Sequence, residues 1–271
     1  FYMNIKYFIY NFSCRLFFKH KKNSFDRNLE NKNLVAQLKK NGVVILGKEK
    51  KISKIKDKFL YYFEGTTKDN YFDNQQGYFF LKRNLSSQFT EELYEFIKLN
   101  LDNFLKEYYE SNYNAFWTNI IRSYPIKNFK DNESLLYHFD DNPSGILKIF
   151  IYLNEQNENT GAFKTLLKSD SSSLKKKGFL SYTTDERLKN QTMITDSALK
   201  NKVNTFSGKE GTILIFENNI IHKGNLPKES YRDLIVIETM RSHNDFSKNN
   251  LETSLSKQIT DDFPRNPFSF N

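Results

Sequence analysis

The clearest periodic pattern of apolar residues lies between residues 86 and 110. Its apolar side chains recur at steps of three and four residues, at Phe89, Leu93, Phe96, Ile97, Leu101, Phe104, Leu105 and Tyr108. This spacing predicts an amphipathic helix with one apolar stripe, which we expect to back a sheet. A second, shorter helix is predicted from residue 28, followed by Asn41-Gly42 and a strand over Val43–Leu46.

From Ala115 onward the pattern changes to alternation and to short apolar runs, which predicts strands. The candidate strands are 116–124, 134–140, 146–153, 161–166, 211–217 and 231–240. Short strands separated by Asn, Asp, Gly and Pro are typical of an all-β sandwich or barrel. The chain is therefore predicted to be mainly β, with a helical annex before the strands.

Residues 167–207 interrupt the strand pattern with a polar stretch that contains Ser171–Ser173 and Lys175–Lys177. An insertion of this length inside a compact domain is uncommon unless it has a function or is disordered. We interpret it as a lid or substrate loop between two core strands. A mobile surface excursion is the alternative.

Three residues in the strand region have the chemistry and spacing of a metal site. His138 and Asp140 are two positions apart, so an extended strand points both side chains to the same side. His222 follows 84 positions later, at the end of the apolar run Gly211–Ile221. Two imidazoles and one carboxylate on one side of a metal form the facial triad of non-haem Fe(II) oxygenases. A single core histidine bonded to a backbone carbonyl is the alternative for either histidine.

Arg232, ten positions after His222, begins the last predicted strand. A guanidinium there is suited to hold a carboxylate through two hydrogen bonds, and a salt bridge with Glu238 or Asp233 is the alternative.

On strand 146–153, Lys148, Phe150 and Tyr152 share one side, and the aliphatic residues of the other side are expected to pack between sheets. Lys148 and Tyr152 are then predicted to face the barrel interior and contact co-substrate carboxylates, with simple exposure to solvent as the alternative. Arg122 is a further candidate for contact with substrate.

Several sequence pieces, taken in order, resemble Fe(II)/2-oxoglutarate-dependent oxygenases of the phytanoyl-CoA dioxygenase-like family. They are Ile120–Pro125, His138-Phe-Asp140, Leu147–Asn154, Asn159–Phe163 and Gly211–Phe216 followed by His222. The resemblance covers residues 115–242. It departs from the family at Lys168–Ser173, where a Pro-Gly-Ser-His-like turn is usual, and at Gly224, where many members have a hydroxyl residue.

The resemblance implies a double-stranded β-helix, the jelly roll of cupin-like proteins, with His138, Asp140 and His222 as ligands of Fe(II). It also implies 2-oxoglutarate as co-substrate held by Arg232, O2 as oxidant, and release of succinate and CO2. Halide-transferring relatives have a small residue in place of Asp140, so hydroxylation of an unactivated C–H bond is expected. A small molecule or a glycan or lipid-linked intermediate is the expected substrate. The alternative is a non-catalytic or 2-oxoglutarate-independent metal-binding jelly-roll protein.

Charge is concentrated at the start of the chain. The net charge is +9, but residues 1–60 hold 15 Lys/Arg and 4 Asp/Glu, which leaves −2 for the remaining residues. Residues 1–22 combine aromatic side chains with five Lys/Arg and no acid. Lys6, Asn11 and Arg15 interrupt the apolar run, so a bilayer-spanning helix is not expected. Two interpretations remain: a segment lying on an anionic membrane, or a helix packed on the core with a solvated basic side. Nucleic-acid binding is not expected because no binding module accompanies the charge.

The length of 271 residues suits one domain with flanking segments. We predict a basic aromatic segment at 1–27, an oxygenase domain at 28–243 and a tail at 244–271. The domain would divide into a helical part, 28–112, and a jelly-roll core, 113–243, with the insertion 167–207. Cys14 is the single cysteine, which fits a cytoplasmic protein, associated peripherally with a membrane if residues 1–22 bind one.

Overall fold

The computed structural model describes residues 2–20, 29–46, 51–64, 71–74, 78–81, 87–125, 133–140, 142–195 and 198–256. The α-helices are α1 (Tyr2–His20), α2 (Leu29–Asn41), α3 (Ser53–Glu64), α4 (Ser87–Asn100), α5 (Asp102–Tyr109), α6 (Lys168–Lys176), α7 (Thr184–Thr195) and α8 (Lys248–Ser256). The strands are β1 (Val43–Leu46), β2 (Tyr71–Asn74), β3 (Tyr78–Leu81), β4 (Asn112–Ser123), β5 (Leu147–Tyr152), β6 (Phe163–Thr165), β7 (Asn204–Phe206), β8 (Ile213–Glu217), β9 (His222–Lys223) and β10 (Arg232–Ser242).

The strands form two antiparallel sheets. The larger has the order β1-β8-β5-β10-β4-β3-β2, and the smaller has the order β7-β6-β9. Phe163 of the smaller sheet packs with Phe150 and Phe216 of the larger sheet, so the two sheets enclose an aromatic interior. This arrangement is the jelly-roll core predicted from the sequence.

The two sides of the larger sheet are covered differently. Leu147, Ile149 and Ile151 of β5 pack with the helical part of the chain, in the cluster that also contains the apolar stripe of α4 and α5. Phe150 and Tyr152 lie on the opposite side, in the interior cluster. The expectation that the aliphatic set packs between sheets was therefore wrong, because the bulkier aromatic side chains of β5, β6 and β8 fill that space.

Two predicted elements differ from those observed. The helix predicted over 86–110 is divided at Leu101, whose φ of −120° departs from helical geometry, although the apolar stripe is buried as expected. The strand predicted over 134–140 is instead a short 3-10 helix at Glu133–Leu135 followed by an isolated bridge at His138. Only a few backbone groups in this segment find a strand partner, so no continuous ladder forms.

The insertion predicted over 167–207 is folded. It contains α6, α7, a 3-10 helix at Ala198–Lys202 and β7. Leu174, Phe179 and Ile194 anchor it in a buried cluster with Tyr137 and Phe139, the neighbours of His138. The apolar anchors are few in the sequence, yet they are enough to pack this segment against the residues around His138.

Both flanking segments contact the sheet. In α8, Ser254 and Thr118 of β4 are joined by a 2.7 Å hydroxyl hydrogen bond. In α1, Tyr7, Tyr10 and Cys14 are buried in a cluster with Phe116 of β4, Met240 of β10 and Ile146, which precedes β5. Among the described helices, none is both long enough and apolar enough to cross a membrane.

Candidate metal site

Backbone hydrogen bonds pair His138 with His222. Each residue donates its backbone N–H to the carbonyl of the other, with N–O distances of 2.9 and 2.8 Å. Asp140 is held in the same way, since its backbone N–H donates to the carbonyl of Asn218 at 3.0 Å. A single antiparallel bridge between β9 and the segment before β5 thus brings together two histidines that are 84 positions apart in the sequence.

The three side chains converge on one point. One ligand atom from each of His138, Asp140 and His222 lies within 4.8 Å of the others. Oδ1 of Asp140 is 3.6 Å from Nε2 of His138, and Oδ2 of Asp140 is 3.8 Å from Nε2 of His222. Both histidines are 4% exposed, so their ring nitrogens are shielded from water, whereas the side chain of Asp140 is 20% exposed.

Hydrogen bonds at the far side of each ring set which nitrogen faces this point. Nδ1 of His138 lies 2.7 Å from the carbonyl of Leu136, and Nδ1 of His222 lies 2.9 Å from the carbonyl of Ile220. A carbonyl only accepts, so both Nδ1 atoms carry hydrogen, and Nε2 is the nitrogen of each ring that faces Asp140 and is available to a metal. Two neutral imidazoles and one carboxylate are the donor set that suits Fe(II). The residues therefore fit the metal implied by the sequence.

Lys148 and Glu238 extend the site beyond the three predicted ligands. Nζ of Lys148 lies 2.7 Å from Oδ2 of Asp140 and 2.9 Å from Oε1 of Glu238. Burial opposes ionisation of Asp140, but the Lys148 ammonium and the two imidazoles hold the pKa of its carboxyl well below the usual range. Burial raises the pKa of Glu238, and Lys148 opposes that rise. The ammonium thus stabilises the Asp140 carboxylate in the form that a metal requires.

The electrostatic environment also keeps His222 neutral. Burial, with a further contribution from His138, lowers the pKa of His222 from 6.5 to about 3. Protons therefore do not compete with a metal for its Nε2 atom near neutral pH.

This shift predicts how the stability of the metal-free protein depends on pH. Between about pH 6.5 and pH 3 the unfolded chain protonates this side chain and the folded protein does not, so the free energy of unfolding falls as the pH is lowered. We expect His222 to account for a loss of about 2 kcal/mol between pH 7 and pH 5. Urea denaturation with a chelator present, compared with His222→Gln, measures this loss. An identical pH dependence in both proteins would contradict it.

Arg232 lies in the interior, 4% exposed, at the start of β10. Its Nη1 donates to the carbonyl of Gly161 at 2.7 Å, and its Nη2 lies 3.4 Å from the hydroxyl of Ser123. The alternative salt bridges have other partners, because Asp233 pairs with Arg122 at 2.6 Å and Glu238 pairs with Lys148. The Arg232 guanidinium is thus oriented by neutral groups.

Tyr152 is the interior residue of β5 that lies toward Arg232. Its hydroxyl donates to the carbonyl of Phe206 at 2.9 Å. Burial raises the pKa of this phenol, and the positive charge of Arg232 opposes the rise. Lys148 and Tyr152 therefore share the interior side of β5, as predicted, with Lys148 beside the triad and Tyr152 beside Arg232.

Gly161 holds the carbonyl that orients Arg232, and no other residue fits its position. Its φ is +84°, and an added Cβ would lie 2.5 Å from the backbone oxygen of Asn225. We expect Gly161→Ala to lower the free energy of unfolding by about 2 kcal/mol or more. Gly178→Ala is the matched control, because its φ is +88° but nothing lies within 4 Å. Chemical denaturation of both variants separates the steric clash from the backbone strain, and equal losses would show that no clash exists.

The structure places one predicted substrate-contact residue outside the site and brings into the site one residue that the sequence did not predict there. Arg122, a candidate substrate contact, makes two hydrogen bonds to Asp233 and stacks on Tyr231, so its guanidinium is occupied there. The sequence indicates Glu238 only as an alternative salt-bridge partner of Arg232. Its alternation with Val236 and Leu234 on the interior side of β10 was the signal that could have placed it in the site.

Known structures share this fold. AviO1 from Streptomyces viridochromogenes Tue57 aligns with a TM-score of 0.54 at 12% identity, over 79% of this chain and 96% of that chain. The epimerase SnoN, solved with Fe3+, alpha ketoglutarate and nogalamycin RO, aligns with a TM-score of 0.58 at 10% identity, over 78% and 83%. EctD from S. alaskensis, solved with 2-oxoglutarate and 5-hydroxyectoine, aligns with a TM-score of 0.55 at 12% identity, over 81% and 79%.

These likenesses confirm the jelly-roll fold, and they agree with the resemblance to Fe(II)/2-oxoglutarate oxygenases found in the sequence. The sequence matches no family model and no curated protein.

Proposed function

We propose that this protein is an Fe(II)/2-oxoglutarate-dependent dioxygenase that hydroxylates an unactivated C–H bond. The observation that carries the proposal is the convergence of two imidazole Nε2 atoms and one carboxylate within a jelly roll. His138, Asp140 and His222 would hold Fe(II), leaving the opposite side of the metal open to co-substrate and O2. Bound Fe(II) and 2-oxoglutarate supply the oxidising chemistry, with release of succinate and CO2.

The interior side of β5 connects the triad with Arg232. Lys148 adjoins the triad and Tyr152 adjoins Arg232, so the proposed metal ligands and the guanidinium are reached from the same side of one strand. The distal carboxylate of 2-oxoglutarate would bind Arg232, because a guanidinium presents paired donors that match a carboxylate. Gly161 and Ser123 keep this guanidinium in place. The hydroxyl of Tyr152 already donates its hydrogen to the carbonyl of Phe206, so its contact with the same carboxylate, which would require exchange of that bond, stays a prediction.

Lys148 has a second role beside the metal. Its ammonium binds Oδ2 of Asp140, so the carboxylate is fixed in orientation and has Oδ1 available as a ligand atom. Glu238 holds Lys148 from the other side and balances its charge. Contact of Lys148 with the co-substrate itself stays a prediction.

The insertion supports the proposed lid role. Ser181 bonds both the backbone N–H and the carbonyl of Phe139, at 3.1 Å each, and Phe139 packs against Phe179 and Tyr182. The segment between His138 and Asp140 is therefore clamped by the insertion, which would shield the reaction from water. We propose a small molecule or a glycan or lipid-linked intermediate as the substrate that this segment covers.

Anaerobic titration with Fe(II) and 2-oxoglutarate tests the function without a substrate. The wild type is expected to develop the weak visible charge-transfer band of iron chelated by a 2-keto acid. Arg232→Ala should still bind Fe(II) but need at least about 10-fold more 2-oxoglutarate, because the distal carboxylate loses charge-assisted hydrogen bonds. Lys164→Ala, which removes a half-buried cation of β6, is the control.

Two results would contradict the proposal. Iron binding without a band at any 2-oxoglutarate concentration would favour the 2-oxoglutarate-independent metal-binding protein. An unchanged 2-oxoglutarate requirement in Arg232→Ala would show that another residue holds the co-substrate.

A further inference from the structure

Helix α1 has apolar residues on two opposite sides, and the protein covers only one of them. The inner side is anchored by Tyr7, Tyr10 and Cys14, which pack against Phe116, Ile146 and Met240. The outer side, here called the α1 apolar face, consists of Ile5, Phe8, Ile9, Phe12 and Leu16. These five residues fall within about a third of the helix circumference at 100° per residue and are 43–72% exposed.

The exposure of the aromatic residues of α1 is the reverse of the usual one, in which tyrosine is exposed more often than phenylalanine. The buried aromatics are Tyr7 and Tyr10, at 3% and 1% exposure, whereas Phe8 and Phe12 are 72% and 58% exposed. The hydroxyl of a tyrosine forms hydrogen bonds with water, whereas the side chain of a phenylalanine is wholly apolar. Contiguous exposed apolar residues of this kind mark a surface that binds something.

The charges around the α1 apolar face indicate what it binds. Residues 1–25 contain Lys and Arg but no Asp or Glu. Lys6 and Arg15 lie on opposite flanks of the face, roughly 100° and 80° from its centre. Nearby, Arg15 and Lys39 share Glu110 at 3.7 and 3.3 Å, two cations for one carboxylate. An apolar stripe flanked by cations fits the boundary between the acyl chains and the anionic headgroups of a bilayer.

We propose that the α1 apolar face binds an anionic lipid surface, with the helix lying parallel to the bilayer. The parallel orientation follows because the opposite side of α1 is packed on the sheet. The aliphatic stems of Lys6 and Arg15 then lie along the apolar region, and their charged ends reach the headgroups.

This surface lies close to the proposed metal site. Met240 and Ile146 contact α1. Met240 lies two residues after Glu238, and Ile146 lies two residues before Lys148. Trp117 packs against both the α1 cluster and the interior cluster. Binding at the α1 apolar face therefore places the triad end of the jelly roll next to the lipid surface, although the proposal does not depend on catalysis.

Sedimentation with lipid vesicles tests the proposal in the full chain. We expect the wild type to bind vesicles containing about one-quarter phosphatidylglycerol, and to bind pure phosphatidylcholine several-fold more weakly. Salt at about 0.5 M should reduce this difference by screening. Phe8→Glu with Phe12→Glu should weaken binding by about 100-fold or more. Leu99→Glu is the matched control, because Leu99 is 85% exposed on α4, away from this face.

A second variant reports contact with lipid directly. In a Trp117→Phe background, Phe12→Trp should show a blue-shifted emission when anionic vesicles are added, since the indole leaves water. Size-exclusion chromatography with light scattering, without lipid, examines the other occupant of such a face, a second copy of the chain.

Three outcomes would overturn the proposal: no binding of the wild type to anionic vesicles, equal binding by the Phe8→Glu/Phe12→Glu variant, or a lipid-free dimer that this variant dissociates. None of them affects the iron and 2-oxoglutarate titration, so failure here is distinguishable from failure of the proposed function.

Discussion

Replacement of His222 by alanine is expected to abolish both the charge-transfer band and turnover. The side chain supplies one of the three ligand atoms, and the bond between its Nδ1–H and the carbonyl of Ile220 holds the ring in position. Loss of an outer partner of a metal ligand typically costs 10- to 100-fold in affinity, so loss of the ligand itself should cost more than about 100-fold. Isothermal titration with Fe(II) under anaerobic conditions measures the affinity.

The chain contains a suitable control histidine. His243 lies beside α1, where it is 3.1 Å from the hydroxyl of Ser13 and packs edge-on against Tyr10. His243→Ala should therefore keep wild-type iron affinity and the band. If His222→Ala retained iron binding equal to that of His243→Ala, the triad would not be the metal site.

Replacement of Lys148 by methionine is expected to destabilise the metal-free protein severely. Its ammonium is the cation between the carboxylates of Asp140 and Glu238, at 2.7 and 2.9 Å. Removal of one partner from a buried ionic group leaves an uncompensated charge, which costs about 3 kcal/mol or more. Chemical denaturation at pH 8 with a chelator present measures the free energy of unfolding.

Three comparisons make this prediction specific. Lys148→Met combined with Glu238→Met should recover much of the loss, because one buried carboxylate is removed with its partner. Fe(II) should also restore stability to Lys148→Met, since the metal supplies positive charge to Asp140 and binds only the folded protein. Lys164→Met, which breaks a 3.8 Å pair between the half-buried Lys164 and the exposed Glu158, should cost less than about 1 kcal/mol. Equal losses in Lys148→Met and Lys164→Met would show that the Lys148 charge is not buried in solution.

The Lys148 contacts also bear on how the site accepts a metal. An ammonium beside a metal ligand opposes the approach of a cation, but Glu238 returns one negative charge at 2.9 Å from the same nitrogen. The triad together with Lys148 and Glu238 has a net charge of −1, which is also the net charge of the triad alone. Lys148 can therefore orient Asp140 at little electrostatic cost to metal binding.

The sequence by itself indicated the three proposed metal ligands and the interior position of Lys148 and Tyr152, but not the role of Glu238. His138 and Asp140 are two apart, and that spacing places both side chains on one side of any extended backbone, whether or not a full strand forms. The same alternation put Lys148 and Tyr152 on one side of β5. These predictions depend on local geometry, which a few consecutive residues set without reference to the rest of the chain.

The tertiary structure decided which distant groups meet. Glu238 pairs with Lys148 because β10 and β5 are adjacent in register, a fact that no local pattern contains. The aliphatic side of β5 packs on helices because aromatic side chains from three strands occupy the space between the sheets. The same holds for α1, whose two apolar sides look alike in the sequence. Packing against β4 and β10 covers Tyr7 and Tyr10 and leaves Phe8 and Phe12 exposed.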